Sequence, residues 1–170
     1  MSNLSSSVQK GRVMKVVLVL VMLYAILCFV TDLKERKMYS LPANVLGMVI
    51  FFVNEYLRDG EDMSLVVIII VSFIVFRLMA KLKVWGEGDS DYLFMLTQLI
   101  AGLSIDYGVM TFLIIELGAT AVSLTVSVII AFIETRVRKE KLNKHYKAAA
   151  LTGFSVVTEL LCILCWRIYE

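Results

Sequence analysis

Proline, histidine and cysteine are scarce in this chain. Its 170 residues include one proline, one histidine and three cysteines. A lone histidine, His145, lying in a basic stretch, excludes catalysis that needs a His-centred triad or a zinc cluster. Cys28, Cys162 and Cys165 all fall in apolar runs; Cys162 and Cys165 lie one helical turn apart with no second ligand type nearby, so they read as packing residues rather than a metal pair. Long polar stretches are also missing, which leaves no room for a separate soluble domain. The net charge of +2 is too small to imply a nucleic-acid partner.

Apolar residues are abundant, at 59%, against 19% charged. The mean hydropathy is +0.83. They come in long blocks rather than at amphipathic spacing, the signature of a bilayer-spanning chain. Six spans are expected: Val13 to Val30, Leu41 to Leu57, Ser64 to Ala80, Asp89 to Leu103, Gly108 to Ile133 and Ala148 to Ile168. The fourth is short and resembles a re-entrant helix in length, but the charge pattern works only if it crosses. Residues 1–12 read as a Ser-rich disordered tail and 13–170 as one six-helix domain. The first apolar run is too long for a signal peptide, and Thr31-Asp32-Leu33 offers no cleavage site.

Basic residues divide unevenly between the two sides. Lys34, Arg36 and Lys37 follow the first span, Lys81 and Lys83 the third, and Arg136, Arg138, Lys139, Lys141 and Lys144 the fifth. The other connections hold Arg58 among Asp59, Glu61 and Asp62, and Asp106 with no base. The positive-inside rule puts the basic connections in the cytoplasm and the N-terminus outside. The basic loop from Arg136 to Lys147 then reads as a topology anchor on anionic headgroups.

That topology places two carboxylates on one face of the membrane. Asp32 closes the first span, and Asp89 opens the fourth within Trp85-Gly86-Glu87-Gly88-Asp89. Acids at a membrane edge are costly and point to chemistry. Two close carboxylates share a proton, so one can act as base on a water while the other polarises a carbonyl. Asp89 at a helix N-terminus reads as the base, and Asp32 as the holder of the proton provided the first helix stops before residues 33–36. Glycines 86 and 88 would let an extended substrate approach the backbone. Alone, this motif reads first as an ordinary inter-helix turn capped by Asp89, and only second as a site.

The two motifs together resemble the type IV prepilin peptidase family. Asp32-Leu33-Lys34-Glu35-Arg36-Lys37-Met38 is similar to the family's first signature, an Asp followed by basic residues and an Ile-Pro-Asn. Gly86-Glu87-Gly88-Asp89, with Leu93 beyond, is similar to the second, a Gly-x-Gly-Asp. The resemblance implies Asp32 and Asp89 as the catalytic pair, with Gly86, Glu87, Gly88, Asp91 and Arg36 as supporting or substrate-binding residues. It implies cleavage of the basic leader from a single-helix prepilin or pseudopilin at the cytoplasmic face of the cell membrane, with no cofactor and no metal. Met38-Tyr39-Ser40 replaces Ile-Pro-Asn, with Pro42 and Asn44 downstream, and Asp91 stands where the family often has Lys. An insert with paired Cys-x-x-Cys motifs is absent, so the chain resembles the short Tad/Flp form, which implies cleavage without methylation. Asp91 itself reads first as a solvated cap on the fourth helix, and otherwise as a docking charge for a basic leader.

Two other classes fit the composition. Another Gly-x-Gly-Asp intramembrane protease would carry Tyr-Asp in its first motif, where this chain has Thr31-Asp32. A transporter or assembly subunit would show an internal repeat around a midplane site, and neither is evident. A peptidase that has lost activity also fits the altered first motif. Within the spans, Arg77 is placed to snorkel and Glu116 to make an interhelical contact. Thr97 and Gln98 are placed to hydrogen-bond across the bundle, and Gly118, Ala119, Ala121 and Gly153 to admit close helix approach.

Overall fold

The computed structural model describes residues 2–35, 39–57, 63–83, 86–104, 107–138 and 150–168. Among these, all regular structure is helical: α1 (Ser2–Glu35), α2 (Ser40–Leu57), α3 (Met63–Lys81), α4 (Glu87–Ser104), α5 (Val109–Arg138) and α6 (Ala150–Ile168). Arg36 and Trp85 lie outside the described residues, as does most of the basic loop after α5.

The scarcity of proline explains the length of α1. No residue from Ser2 to Glu35 forbids helix, so the helix path extends over the residues expected to form a tail and continues past the apolar run. The one proline, Pro42, sits in the first turn of α2, where its missing N–H has no intrahelical acceptor to lose. At the other end of α3, Lys83 takes a left-handed conformation, φ 57°, and its N–H closes on the Ala80 carbonyl at 3.0 Å, which turns the chain toward α4.

Among the described residues, four helices are long and apolar enough to cross a membrane: Gln9–Asp32, Ser40–Leu57, Met63–Lys81 and Val109–Ile130. In α6 the apolar stretch is shorter, Thr152–Trp166. Helix α4 is the most enclosed, buried almost continuously from Ser90 to Ala101. It tolerates polar residues because neighbouring helices, not lipid, surround it.

The helices divide around α4. On one side α2 and α3 each pack against it but make little contact with each other. On the other, α5 and α6 touch α4, and α6 packs along both α5 and α1. Met14, Leu18, Val21, Ala25 and Cys28, spaced three or four apart on α1, form its buried stripe. The outer surface is apolar, with Ile70 and Ile74 on α3 and Ile114 and Leu117 on α5 exposed. The buried set meanwhile includes Asn54, Asp91, Thr97, Gln98, Ser123 and Thr152. An apolar outside around a partly polar inside is the arrangement of a helical membrane protein.

Polar ties run between the helices. Thr97 donates to Glu116 Oε1 at 2.6 Å, joining α4 to α5 as the sequence suggests. Asn54 donates to the Gln98 carbonyl at 3.2 Å. Gly153 brings α6 onto α5: a methyl group there would collide with the Ser123 carbonyl and the Ser127 side chain. Its N–H donates to Ser127 Oγ at 3.2 Å. Gly118 differs from expectation. Open space surrounds its missing side chain, so it does not serve helix approach.

Candidate active site

Local sequence shapes the start of α4. Ser90 N–H donates to the Gly86 carbonyl at 3.0 Å, the first bond of the helix, which makes Gly86 the cap residue. Asp89, three positions on, reaches back so that its Oδ2 accepts from the Gly86 N–H at 3.2 Å. This is the return half of a capping box, with an aspartate in the place more often taken by Glu or Gln. A Cβ on Gly86 would lie 3.1 Å from the same oxygen, so glycine keeps this approach uncrowded. Asp89 is half-buried, and Glu87 beside it is exposed.

Asp32 is held differently. Helix α1 runs on through Glu35, placing Asp32 in its last turn. Its Oδ2 accepts a 2.7 Å hydrogen bond from the hydroxyl of Thr152, a fully buried residue in the first turn of α6. The proton assignment to Asp32 presumes that α1 stops before residue 33; the helix instead continues through 33–35, Arg36 lies outside the described residues, and Asp32 remains in the last turn of α1.

A layer of aromatic and hydroxyl groups sets the relative level of the two acids. The Tyr24 and Tyr92 rings meet with centroids 5.9 Å apart, and Tyr92 donates to Thr158 at 2.9 Å. From that layer Asp32 lies eight residues along α1, or about 12 Å at 1.5 Å per residue, and its partner Thr152 six residues back along α6, or about 9 Å. Asp89 lies three residues back along α4, or about 4.5 Å. The tyrosine–threonine layer thus has both carboxylates on the same side, with Asp89 roughly one turn deeper.

Asp91 faces the other way. It is 5% exposed, which corrects the expectation of a solvated cap. Arg77 Nη2 lies 2.9 Å from its Oδ1, and Asn44 Nδ2 donates to its Oδ2 at 3.2 Å. Burial without such partners would be prohibitive for a carboxylate. Arg77 therefore does not simply snorkel: it pairs with Asp91 and lies over the Phe73 ring, 5.3 Å from its centroid. The negative charge expected to meet a basic leader is countered on the spot, and Asp91 ties α2, α3 and α4 together.

Reading the sequence singled out Asp32, Asp89 and Asp91 but missed Thr152, whose link to Asp32 spans 120 residues and leaves no local signal. Asn44 had a signal, as a residue displaced from the Ile-Pro-Asn position. Among the described residues, no group of three His, Cys, Asp or Glu side chains could hold a metal ion. No family model, no curated protein and no solved structure matches the chain.

Proposed function

We propose that this protein is an intramembrane aspartyl endopeptidase of the prepilin peptidase kind, crossing the membrane six times with its N-terminus outside. The observation that carries the reading is the placement of Asp32 and Asp89 beyond one side of the Tyr24–Tyr92–Thr158 layer, on separate helices that both border α6. One carboxylate accepts a proton from water and the other donates to the scissile carbonyl oxygen. Collapse of the tetrahedral adduct breaks the C–N bond, and the amine leaves with a proton. No metal or covalent intermediate enters this sequence.

Supporting features come from the fold and the charge pattern. The short turn between α3 and α4, with Lys81 and Lys83, and the basic segment after α5 favour the cytoplasm for the end carrying both acids. Substrates are single-helix membrane proteins with a short basic leader, whose apolar segment remains in the bilayer. Gly86, Glu87 and Gly88 bound the site at the start of α4, and Arg36 follows Asp32.

The direct test is leader removal from a co-expressed Flp-type prepilin, followed by gel shift and mass. Loss of the leader only when this chain is present supports the peptidase. Prepilins from the same source that all stay unprocessed beside well-expressed chain would remove the reading in favour of a transport or assembly role.

A further inference from the structure

Because α2 and α3 both rest on α4 but scarcely on each other, a groove of about 510 Å³ opens between them. Met48 and Phe52 from α2, Ile69 and Phe73 from α3, and Phe94 from α4 give it an apolar lining. Met48 and Phe52 are 66% and 67% exposed, so the groove opens sideways, toward the bilayer. Asn44 and Arg77 close one end. From there it follows α2 as far as Phe52 and α3 back to Ile69, eight residues on either helix, or about 12 Å.

The closed end carries positive charge in a fixed place. Arg77 is held from two sides, by the Asp91 carboxylate at 2.9 Å and by the Phe73 ring, 5.3 Å from centroid to guanidinium. A guanidinium has several N–H donors, and with the side chain 43% exposed not all of them are spent on Asp91. Asp91 itself is 5% exposed, so a ligand entering the groove meets the cation and not the carboxylate behind it. Lys81, exposed in the last turn of α3, lies one helical turn beyond Arg77 on the same face and adds a second cation.

We infer that this groove binds an anionic phospholipid from the leaflet on the acid-bearing side, with its phosphate at Arg77 and Lys81 and one acyl chain along the lining. The inference needs the helices to stand in a bilayer and is independent of the peptidase reading. Depth fits this occupant: one leaflet's share of the hydrocarbon core is about 15 Å, close to the length of the groove. Width argues against a helix. A helix 10–12 Å across would need about 1,000 Å³ or more over that length, roughly twice what the groove holds. Charge selects the headgroup. Asp91 balances Arg77, whose guanidinium then serves to hold a phosphate, while Lys81 leaves one positive charge in excess and favours a lipid of net negative charge. Free phosphate would meet the same cations but leave the apolar lining unfilled.

Bromine quenching of tryptophan measures the occupant. In a Trp85→Phe, Trp166→Phe background, Met48→Trp reports on the groove. Leu117→Trp, at a position 69% exposed on α5, reports on ordinary lipid contact. The chain is reconstituted in vesicles of phosphatidylcholine and phosphatidylglycerol in which one or the other lipid carries brominated chains. At position 48, brominated phosphatidylglycerol is expected to quench at about one fifth of the mole fraction that brominated phosphatidylcholine needs. At position 117 the two should quench alike. Adding Lys81→Gln should bring the two lipids close to parity at position 48. Equal quenching there without that substitution would overturn the site, as would a preference that Lys81→Gln leaves intact. Emission at position 48 that neither lipid quenches would mean that protein, a second copy included, fills the groove, and would overturn it too.

The unsubstituted chain gives an independent reading. Native mass spectrometry in a neutral detergent, with phosphatidylglycerol or inorganic phosphate titrated in, is expected to show one lipid retained per chain. Half-saturation should rise about fivefold in Lys81→Gln. Inorganic phosphate held as well as the lipid would show that the apolar lining contributes nothing, and no retained lipid would sink the inference outright.

Discussion

Thr152 and Asp32, 120 residues apart, are joined by a 2.7 Å hydrogen bond that fastens the last turn of α1 to the first turn of α6. The hydroxyl donates to one carboxylate oxygen and so restrains the orientation of the group. Thr152→Val keeps the shape and removes the donor. Prepilin cleavage is expected to fall about tenfold, and Thr152→Ser to recover most of it. Initial rates on membranes with matched protein levels measure this; equal rates for Val and Ser would show that the bond does not orient Asp32.

The Arg77–Asp91 pair makes a separate prediction about stability. Asp91 is nearly buried while the Arg77 side chain is 43% exposed, so solvent screens part of the attraction. Asp91→Ala is expected to destabilise by about 2 kcal/mol, below the range for a fully buried pair. Removing both partners should cost less than the sum of the single losses, because each alone strands a polar group. Denaturant titration of the three variants in detergent checks the cycle, and strict additivity would mean no energetic coupling.

Close packing at Gly153 links stability to the site. Gly153→Val pushes a side chain into the Ser123 carbonyl and Ser127, so α6 must move away from α5. A loss of about 1–3 kcal/mol is expected, the usual cost of overpacking. Since Thr152 is the adjacent residue, cleavage should fall as well. Gly118→Val, where nothing lies near, is the matched control and should be close to neutral. Thermal unfolding of both variants decides; similar melting temperatures would contradict the packing.

Topology can be read by labelling in a cysteine-free background. Tyr107→Cys, 77% exposed between α4 and α5, should react with an impermeant maleimide on intact cells. Lys83→Cys, exposed between α3 and α4, should react only after permeabilisation. The reverse pattern would invert the proposed orientation.

Local features were legible in the sequence where their cause was local. Asp89 could be placed at the start of α4 because a glycine cap followed by an acid at the third helical position is a short-range signal. The apolar blocks of α1, α2, α3 and α5 announced themselves by length. Helix α4 was harder to read: its Asp91, Thr97 and Gln98 lower its hydropathy, and only the bundle reveals that protein surrounds them. Asp91 looked like a surface cap because its counter-charge sits on α3 and its amide partner on α2. The start of α1 was not legible because polar residues lie ahead of its apolar run, and the helix path there has only the absence of a breaker as a signal.

The most direct test uses purified chain in lipid with a defined single-helix substrate, comparing the parent with Asp32→Asn and Asp89→Asn by product mass. The account predicts a single cut at the junction of leader and apolar segment. Each substitution should slow it about a thousandfold or more, ~4 kcal/mol of barrier, while melting temperatures stay near the parent's. Parent-like cleavage by either folded variant would contradict an aspartyl mechanism at these two residues.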